Sequence, residues 1–358
     1  MSLRVLFAVA AWGLGHATRD LVLIRALLDA GHEVTILSTE RALQLLRGEL
    51  GNRCGYIDVP DIPKPLSRRA FWFYVRMSLS LPLVFWTFRH EHQVVHRLVN
   101  RHRFDRIVSD TRYGVYHREI PSFHIVHSLR QIVPGRNRWL ELMVERSQQQ
   151  LLSGGHKLLI PDQKENGLAG ELCHNLAAFQ ESRLEYIGIL SSVRKRRLEP
   201  DIDYFISVSG AEPQRSIFEE MVLQQIHDLP GRVVVALGRP DLPLSVTDDG
   251  RISVHSFMTR LQQEEMMNRA RLVVSRSGYT TLMELAELGK RALLVPTVGQ
   301  SEQEYLGAYH ERLGTMHMVT QPQLSLRRDA EAAAGYSGIP LSHSTTETTR
   351  RFLALLEA

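Results

Sequence analysis

Apolar positions change period repeatedly along this chain. Residues 4–10 carry an apolar run, and residues 17–30 then place Leu21, Ile24 and Leu28 at helical spacing. Gly31 ends that helix, and residues 33–38 return to a β-branched, apolar run. Strand, helix, strand is a βαβ opening, which puts its two strands parallel in one sheet. Runs at 106–109, 123–126, 157–160 and 186–187 predict the rest of that sheet. At residues 191–200 the alternation breaks into Arg194-Lys195-Arg196-Arg197 and ends in Pro200, which reads as a solvated linker. A second series follows at 204–208, 232–237, 252–254, 272–275, 292–295 and 316–319, with helical patterns between most of them. The predicted fold class is α/β, two doubly wound Rossmann-like domains facing across a cleft, residues 1–192 and 193–344. Residues 345–358 read as a capped terminal helix.

Composition narrows the class. With 358 residues, 44% of them hydrophobic, each half can build its own core. Cys54 and Cys173 make neither a disulfide framework nor a metal-ligand spacing, which fits a reducing cytoplasm. The apolar run after Arg4 is too short for a signal peptide and reads as a strand. Net charge is +4, only five of the 43 basic residues are lysine, and arginine is spread along the whole chain, so no nucleic-acid module stands out. One segment differs: residues 71–88 hold Trp72 and Trp86 among phenylalanines, flanked by Lys64, Arg68, Arg69 and Arg89. Arg76 and Pro82 interrupt it, so it is no clean membrane span. It is either a pair of helices packed on the first sheet or an interfacial patch beside anionic headgroups.

Two short segments concentrate the chemistry. Gly13-Leu14-Gly15-His16-Ala17-Thr18-Arg19 follows the first strand, and Ser275-Arg276-Ser277-Gly278-Tyr279-Thr280-Thr281-Leu282-Met283-Glu284 follows a strand of the second half. Each reads as strand, glycine turn, helix start, a geometry that gathers free backbone N–H groups where a phosphate can sit. Gly13 and Gly15 with Glu40 beyond the second strand could be a dinucleotide fingerprint, but Thr18 stands where a third glycine belongs. His16, at the tip of its turn, is poorly placed for packing and well placed for proton transfer.

The first segment resembles the G-x-G-H-x-x-R signature of glycosyltransferase family 28 and its relatives. The second resembles the nucleotide-sugar signature of the same group in Ser275, Arg276, Gly278, Thr281, Glu284, Gly289, the strand 292–295, Pro296 and Gln303-Glu304-Tyr305. Lys290-Arg291 stands where the family runs G-x-P. Ser209-Gly210-Ala211-Glu212-Pro213-Gln214-Arg215 is similar to the loop of a little-characterised MurG-like branch.

This resemblance implies a GT-B fold with the acceptor on the first domain, the donor on the second, and the terminal helix packed back on the first. It implies that Glu284 accepts hydrogen bonds from ribose hydroxyls, that Arg276, Ser277 and Gly278 line a diphosphate, that Gly13, Gly15, Gly210 and Thr281 also belong to the donor site, and that the backbone of Phe257 and Met258 reads uracil. Gln303 would hold donor-sugar hydroxyls, and Glu304 replaces a second glutamine, leaving the sugar open. His16 would be the base or a diphosphate contact, and Asp110, at a strand end, the second candidate base or an orienting group. The implied activity is inverting transfer from a UDP-sugar by a metal-independent hexosyltransferase, with no cofactor and no nucleic acid. The acceptor would be lipid-linked or membrane-borne and the enzyme cytoplasmic, peripheral at the inner face of the cell membrane. The alternatives are a nucleotide-sugar hydrolase with His16 activating water, or a non-catalytic, NAD-binding protein. Asp201-Ile202-Asp203 has the D-x-D spacing that binds metal elsewhere, and here reads as incidental.

Overall fold

The computed structural model describes residues 2–12, 14–62, 81–133 and 135–358. Gly13 and the first part of the aromatic segment, with Phe71 and Trp72, lie outside them. The chain divides into two compact units, Met1–Ser192 with His343–Ala358, and Val193–Ser342.

The first unit is built on a seven-stranded parallel sheet of β1 (Arg4–Val9), β2 (Glu33–Ser38), β3 (Gly55–Asp58), β4 (Arg106–Asp110), β5 (Ser122–Ile125), β6 (Lys157–Ile160) and β7 (Leu184–Tyr186). Its order is β3-β2-β1-β4-β5-β6-β7. Strand β1 is central, and Val5 through Val9 are wholly buried, so the uninterrupted apolar run is what a strand covered on both faces requires. Helices in chain order among the described residues are α1 (Leu14–Asp29), α2 (Glu40–Leu50), α3 (Leu81–Arg101) and α4 (Arg138–Leu151). Helix α1 buries Leu21, Leu23, Ile24 and Leu27.

The second unit repeats the plan with β8 (Ile202–Ser207), β9 (Val233–Ala236), β10 (Val246–Asp248), β11 (Ile252–His255), β12 (Ala270–Ser275), β13 (Arg291–Leu294) and β14 (His317–Met318). The order is β10-β11-β9-β8-β12-β13-β14, parallel except for the antiparallel β10–β11 edge. Its helices are α5 (Gln214–Gln225), α6 (Arg260–Arg269), α7 (Tyr279–Leu288), α8 (Ser301–Arg312) and α9 (Leu326–Ala333).

The last helix, α10 (Thr345–Glu357), belongs to the first unit. Phe352 and Leu356 are fully buried, Arg106 Nε donates to the Leu356 carbonyl at 2.6 Å, and Ser191 N donates to Thr345 Oγ1 at 3.0 Å. Gly188, at φ +98°, lets the chain pass Thr348, whose Oγ1 would lie 2.4 Å from any Cβ there.

Candidate functional site

Each sheet reverses its strand order between two central strands, β1 and β4 in the first unit, β8 and β12 in the second. Loops leaving the carboxyl ends of such neighbours diverge and open a crevice, the general place for ligands in open α/β sheets. Several of the sequence-derived candidates, His16, Asp110, Gly210, Ser277 and Gly278 among them, fall at or just beyond these strand ends.

In the first unit, β1 runs through its turn into α1, whose first turn carries Gly15 and His16. Arg19 and Asp20 follow at i+3 and i+4 from His16, so the three side chains share a helix face. They meet Asp110, the last residue of β4, which is wholly buried. His16 Nδ1 lies 3.0 Å from Asp110 Oδ2, with 16% of the His16 side chain exposed. Arg19 Nε donates to Asp110 Oδ2 at 2.9 Å and Nη2 to Oδ1 at 2.6 Å. The same Nη2 is 2.9 Å from His16 Nδ1, and Nη1 is 3.1 Å from His127 Nδ1.

The next residue, Thr111, has φ +59° and donates its Oγ1 to Asp110 Oδ1 at 2.8 Å. A β-branched residue in the left-handed region costs about 1–3 kcal/mol, and the loop is held firmly enough to keep it there. Arg112 Nε donates to Glu91 Oε1 at 2.7 Å, and its Nη2 to the Val59 and Pro60 carbonyls at 3.0 and 2.7 Å. Glu91 Oε2 accepts from Gly114 N at 3.1 Å.

Electrostatics divides the pair into an acceptor and an anion. Burial pulls the His16 imidazole below its ordinary value; Asp110 opposes this and Arg19 adds to it. Burial alone would raise Asp110, but the Arg19 guanidinium and His16 hold its carboxyl well below the usual range. The site therefore holds a neutral imidazole beside an ionised carboxylate at neutral pH. With Nδ1–H donated to Asp110, the lone pair lies on Nε2.

In the second unit, β8 ends at an exposed turn in which Gly210 has φ +119°, a conformation open to glycine. Strand β12 ends at Ser275, and α7 starts after Gly278, its N-cap, with no side chain capping the helix. Gly278 has no side chain with which to cap the first N–H groups of α7. Ser277 is buried and donates its Oγ to the Gln303 carbonyl at 2.7 Å. Gln303 Oε1 accepts from Thr297 N at 2.9 Å, which turns its Nε2 toward Gly278, 3.9 Å from where a Cβ would stand. Thr281 Oγ1 is 4.0 Å from that same point. Thr297 Oγ1 is buried without a hydrogen-bond partner among the described residues and is the nearest atom, at 3.7 Å, to a Cβ built on Gly210.

Arg276 departs from the expectation that it lines a diphosphate. Its guanidinium turns inward, donating through Nη1 to the carbonyls of Val295 (3.0 Å) and Pro296 (3.2 Å) and through Nη2 to that of Gln214 (2.9 Å). Nε points at the Ser209 carbonyl at 3.4 Å, and the group lies 4.2 Å over the Phe218 ring. The physical reason is that one planar fork satisfies carbonyls from three loops that the crevice needs held together. Burial lowers its pKa to about 10, so it stays charged at neutral pH, and no carboxylate pairs with it among the described residues.

The remaining candidates are more dispersed. Half-buried Glu284 is on α7, beyond Thr281. Glu304 is exposed on α8 and accepts from Gly299 N at 2.9 Å. Phe257 and Met258 follow β11; the Met258 carbonyl accepts from Gln263 Nε2 at 3.2 Å. Asp201 and Asp203 are engaged by Arg232, Arg269 and Arg271, an ion network at the start of β8. Sequence reasoning gave no role to Arg19 or Asp20, although their spacing from His16 put all three on one helix face. Thr111 and Thr297 left no sequence signal.

Residues 214–328 match the glycosyltransferase family 28 C-terminal domain. Among solved structures, the chain is similar to a glycotransferase of kitacinnamycin, at TM-score 0.68 and 15% identity, covering 100% of this chain and 99% of that one. It is similar to MurG of Acinetobacter baumannii at TM-score 0.64 and 14% identity, covering 99% of each chain. It also resembles CalG4, the calicheamicin glycosyltransferase, at TM-score 0.62 and 16% identity, over 99% of this chain and 94% of that one. Residues 214–328 thus match a glycosyltransferase family 28 C-terminal domain, and the chain as a whole has the GT-B fold of the glycosyltransferases it is similar to.

Proposed function

We propose that the protein is an inverting, metal-independent hexosyltransferase that moves a sugar from a UDP-sugar to an acceptor hydroxyl, with His16 as the general base. The observation that supports this most is the 3.0 Å contact of His16 Nδ1 with Asp110 Oδ2 at the carboxyl ends of β1 and β4. In this reading Nε2 takes the proton of the acceptor hydroxyl as its oxygen attacks the anomeric carbon from the face opposite UDP. Asp110 stabilises the imidazolium that forms, and the C1–O bond to UDP breaks with inversion. Arg19 keeps His16 neutral beforehand by adding positive charge beside it. If Nδ1 instead accepted from Arg19, Nε2 would carry the proton and could only donate, which is the diphosphate-contact alternative.

On the donor side, the uncapped start of α7 and the uncompensated charge of Arg276 would offset the leaving diphosphate. Glu284 would hold the ribose hydroxyls, the backbone at Phe257 and Met258 the uracil, and Gln303 Nε2 a sugar hydroxyl. A role for Arg276 through its charge, rather than by contact, follows from its inward orientation.

A lipid-linked or membrane-borne acceptor, handled at the inner face of the cell membrane, is the preferred acceptor class. Supporting it, Leu83, Phe85 and Trp86 on α3 are 47%, 57% and 60% exposed, and Trp139, Leu140 and Met143 on α4 are 69%, 43% and 42% exposed. Arg89 and Arg138 accompany them, as suits an interfacial surface. Among the described residues no helix is long and apolar enough to cross a membrane. The direct test incubates the enzyme with UDP-sugars, with and without polyprenyl or glycerolipid acceptors, and reads the product's anomeric configuration by NMR. Acceptor-dependent product of inverted configuration supports the reading. Fast release of UDP with no acceptor would favour the hydrolase.

A further inference from the structure

Asp20 is a buried carboxyl to which the acid–base chemistry above gives no task. It is fully buried, and no N–H or O–H donor among the described residues reaches either of its oxygens. Its neighbour Arg19 approaches only to 4.0 Å, Nε to Oδ1, having given Nε and Nη2 to Asp110. A carboxylate without donors around it is among the costliest groups to bury. Both carboxyls face the same guanidinium nitrogen, Arg19 Nε lying 2.9 Å from Asp110 Oδ2 and 4.0 Å from Asp20 Oδ1, and two adjacent buried carboxyls cannot both hold a charge against one arginine.

We infer that Asp20 is a positioning residue that stays protonated at neutral pH and donates its O–H to the ionised Asp110. The cluster then holds one cation, Arg19, one anion, Asp110, and two neutral groups, Asp20 and His16. Each partner gains from this division. Asp110 accepts from Arg19, Thr111 and His16, and the Asp20 proton adds a neutral donor that fixes its plane without drawing its charge away. A second negative charge would instead favour imidazolium at His16 and remove the lone pair on Nε2. The groups that face Asp20 agree: burial and the charge of Asp110 push its carboxyl well above the usual range, with Arg19 alone opposing them. His127, against Arg19, adds no negative charge.

Asp20's role rests on His16 and Asp110 being the reacting pair, but its test does not use turnover. Infrared difference spectra of the intact protein, with and without 13C-labelled aspartate, should contain the C=O stretch of a protonated carboxyl at neutral pH. The band should vanish in Asp20→Asn. Its absence from the wild type, or its persistence in the variant, would overturn the assignment. The His16 titration midpoint, followed by NMR and assigned with His16→Gln, should be unchanged in Asp20→Asn, which keeps a neutral donor. A downward shift would mean that an anion had been removed, and the inference would fail.

Stability gives a third readout. A carboxyl whose folded pKa is raised stabilises the fold fully below its unfolded value, about 3.9, and loses that contribution as pH rises toward the folded value. Asp20→Asn removes this loss. Its melting temperature relative to wild type should therefore climb with pH from about 4 upward, whereas an ionised, stabilising Asp20 predicts a fall. Failure of His16→Ala to lower turnover, with the infrared band intact, would sink the catalytic reading and leave the protonation of Asp20 standing.

Discussion

The two crevices of this protein occupy the same topological place and carry opposite chemistry. At the β1/β4 crevice, two carboxyls, an arginine and a histidine are packed against one another, and the charges cancel within a few ångströms. At the β8/β12 crevice, a buried arginine has no carboxylate partner among the described residues, and main-chain carbonyls hold its guanidinium instead. In the proposed reading, the first moves a proton and the second holds an anion. Sheet topology supplies the location in both cases, and a few side chains decide what the location does.

That contrast can be broken from either side. The largest effect is expected at the proton-handling crevice. His16→Ala should lower turnover by about 10²-fold or more while changing UDP affinity little; steady-state kinetics with calorimetric UDP binding checks it. A collapse of UDP binding with modest loss of turnover would turn His16 into a phosphate contact. At the anion-holding crevice, Arg276→Lys should be costly in another way. A single ammonium cannot reach the carbonyls of Gln214, Val295 and Pro296 together, and each buried acceptor left unpaired costs about 1–3 kcal/mol. The melting temperature should fall by several degrees, with UDP affinity falling alongside.

Gly210→Val should be milder. Its φ of +119° disfavours any β-branched side chain; where the turn relaxes in the free protein, about 1–3 kcal/mol must be restored on binding, roughly 5- to 150-fold in UDP affinity. For pH, a His16 lowered by burial predicts that the acid limb of kcat/KM lies below about 6.5, the ordinary histidine value; an acid limb above that value would contradict a neutral, buried base. The smallest effect belongs outside both crevices. Asp201→Ala removes only surface ion pairs with Arg232 and Arg269, so stability should change by less than about 1 kcal/mol and turnover not at all.

Much of this architecture was legible in the sequence, and the parts that were not have physical reasons. The central strands announced themselves because strands buried on both faces must be apolar throughout, as at Val5–Val9. Two of the four edge strands, β3 and β10, carry no such signature. Gly55–Asp58 is half-exposed and mixed in polarity, and Val246–Asp248 is exposed along its length, so both escaped the hydrophobic pattern. The glycine-bearing segments pointed to the carboxyl ends of β1 and β12, where each sheet reverses its strand order. What spacing could not give was orientation. Arg276 sits in a motif associated with phosphate, yet its fork is consumed by main-chain carbonyls. Asp110 was visible as a carboxylate at a strand end, but its partnership with Arg19 depends on packing β4 against α1, and the buried state of Asp20 is equally a product of that packing.

The central claim is that the second unit holds a nucleoside diphosphate donor. The most direct measurement is a thermal-shift panel with UDP, GDP, CDP, dTDP, ADP and NAD on the wild type and on Glu284→Ala. A ligand at about 100 times its dissociation constant adds roughly 2.7 kcal/mol, enough to move the transition visibly. A shift with UDP, reduced in Glu284→Ala, is the predicted result. A response to NAD alone, with none to any nucleoside diphosphate, would contradict the account.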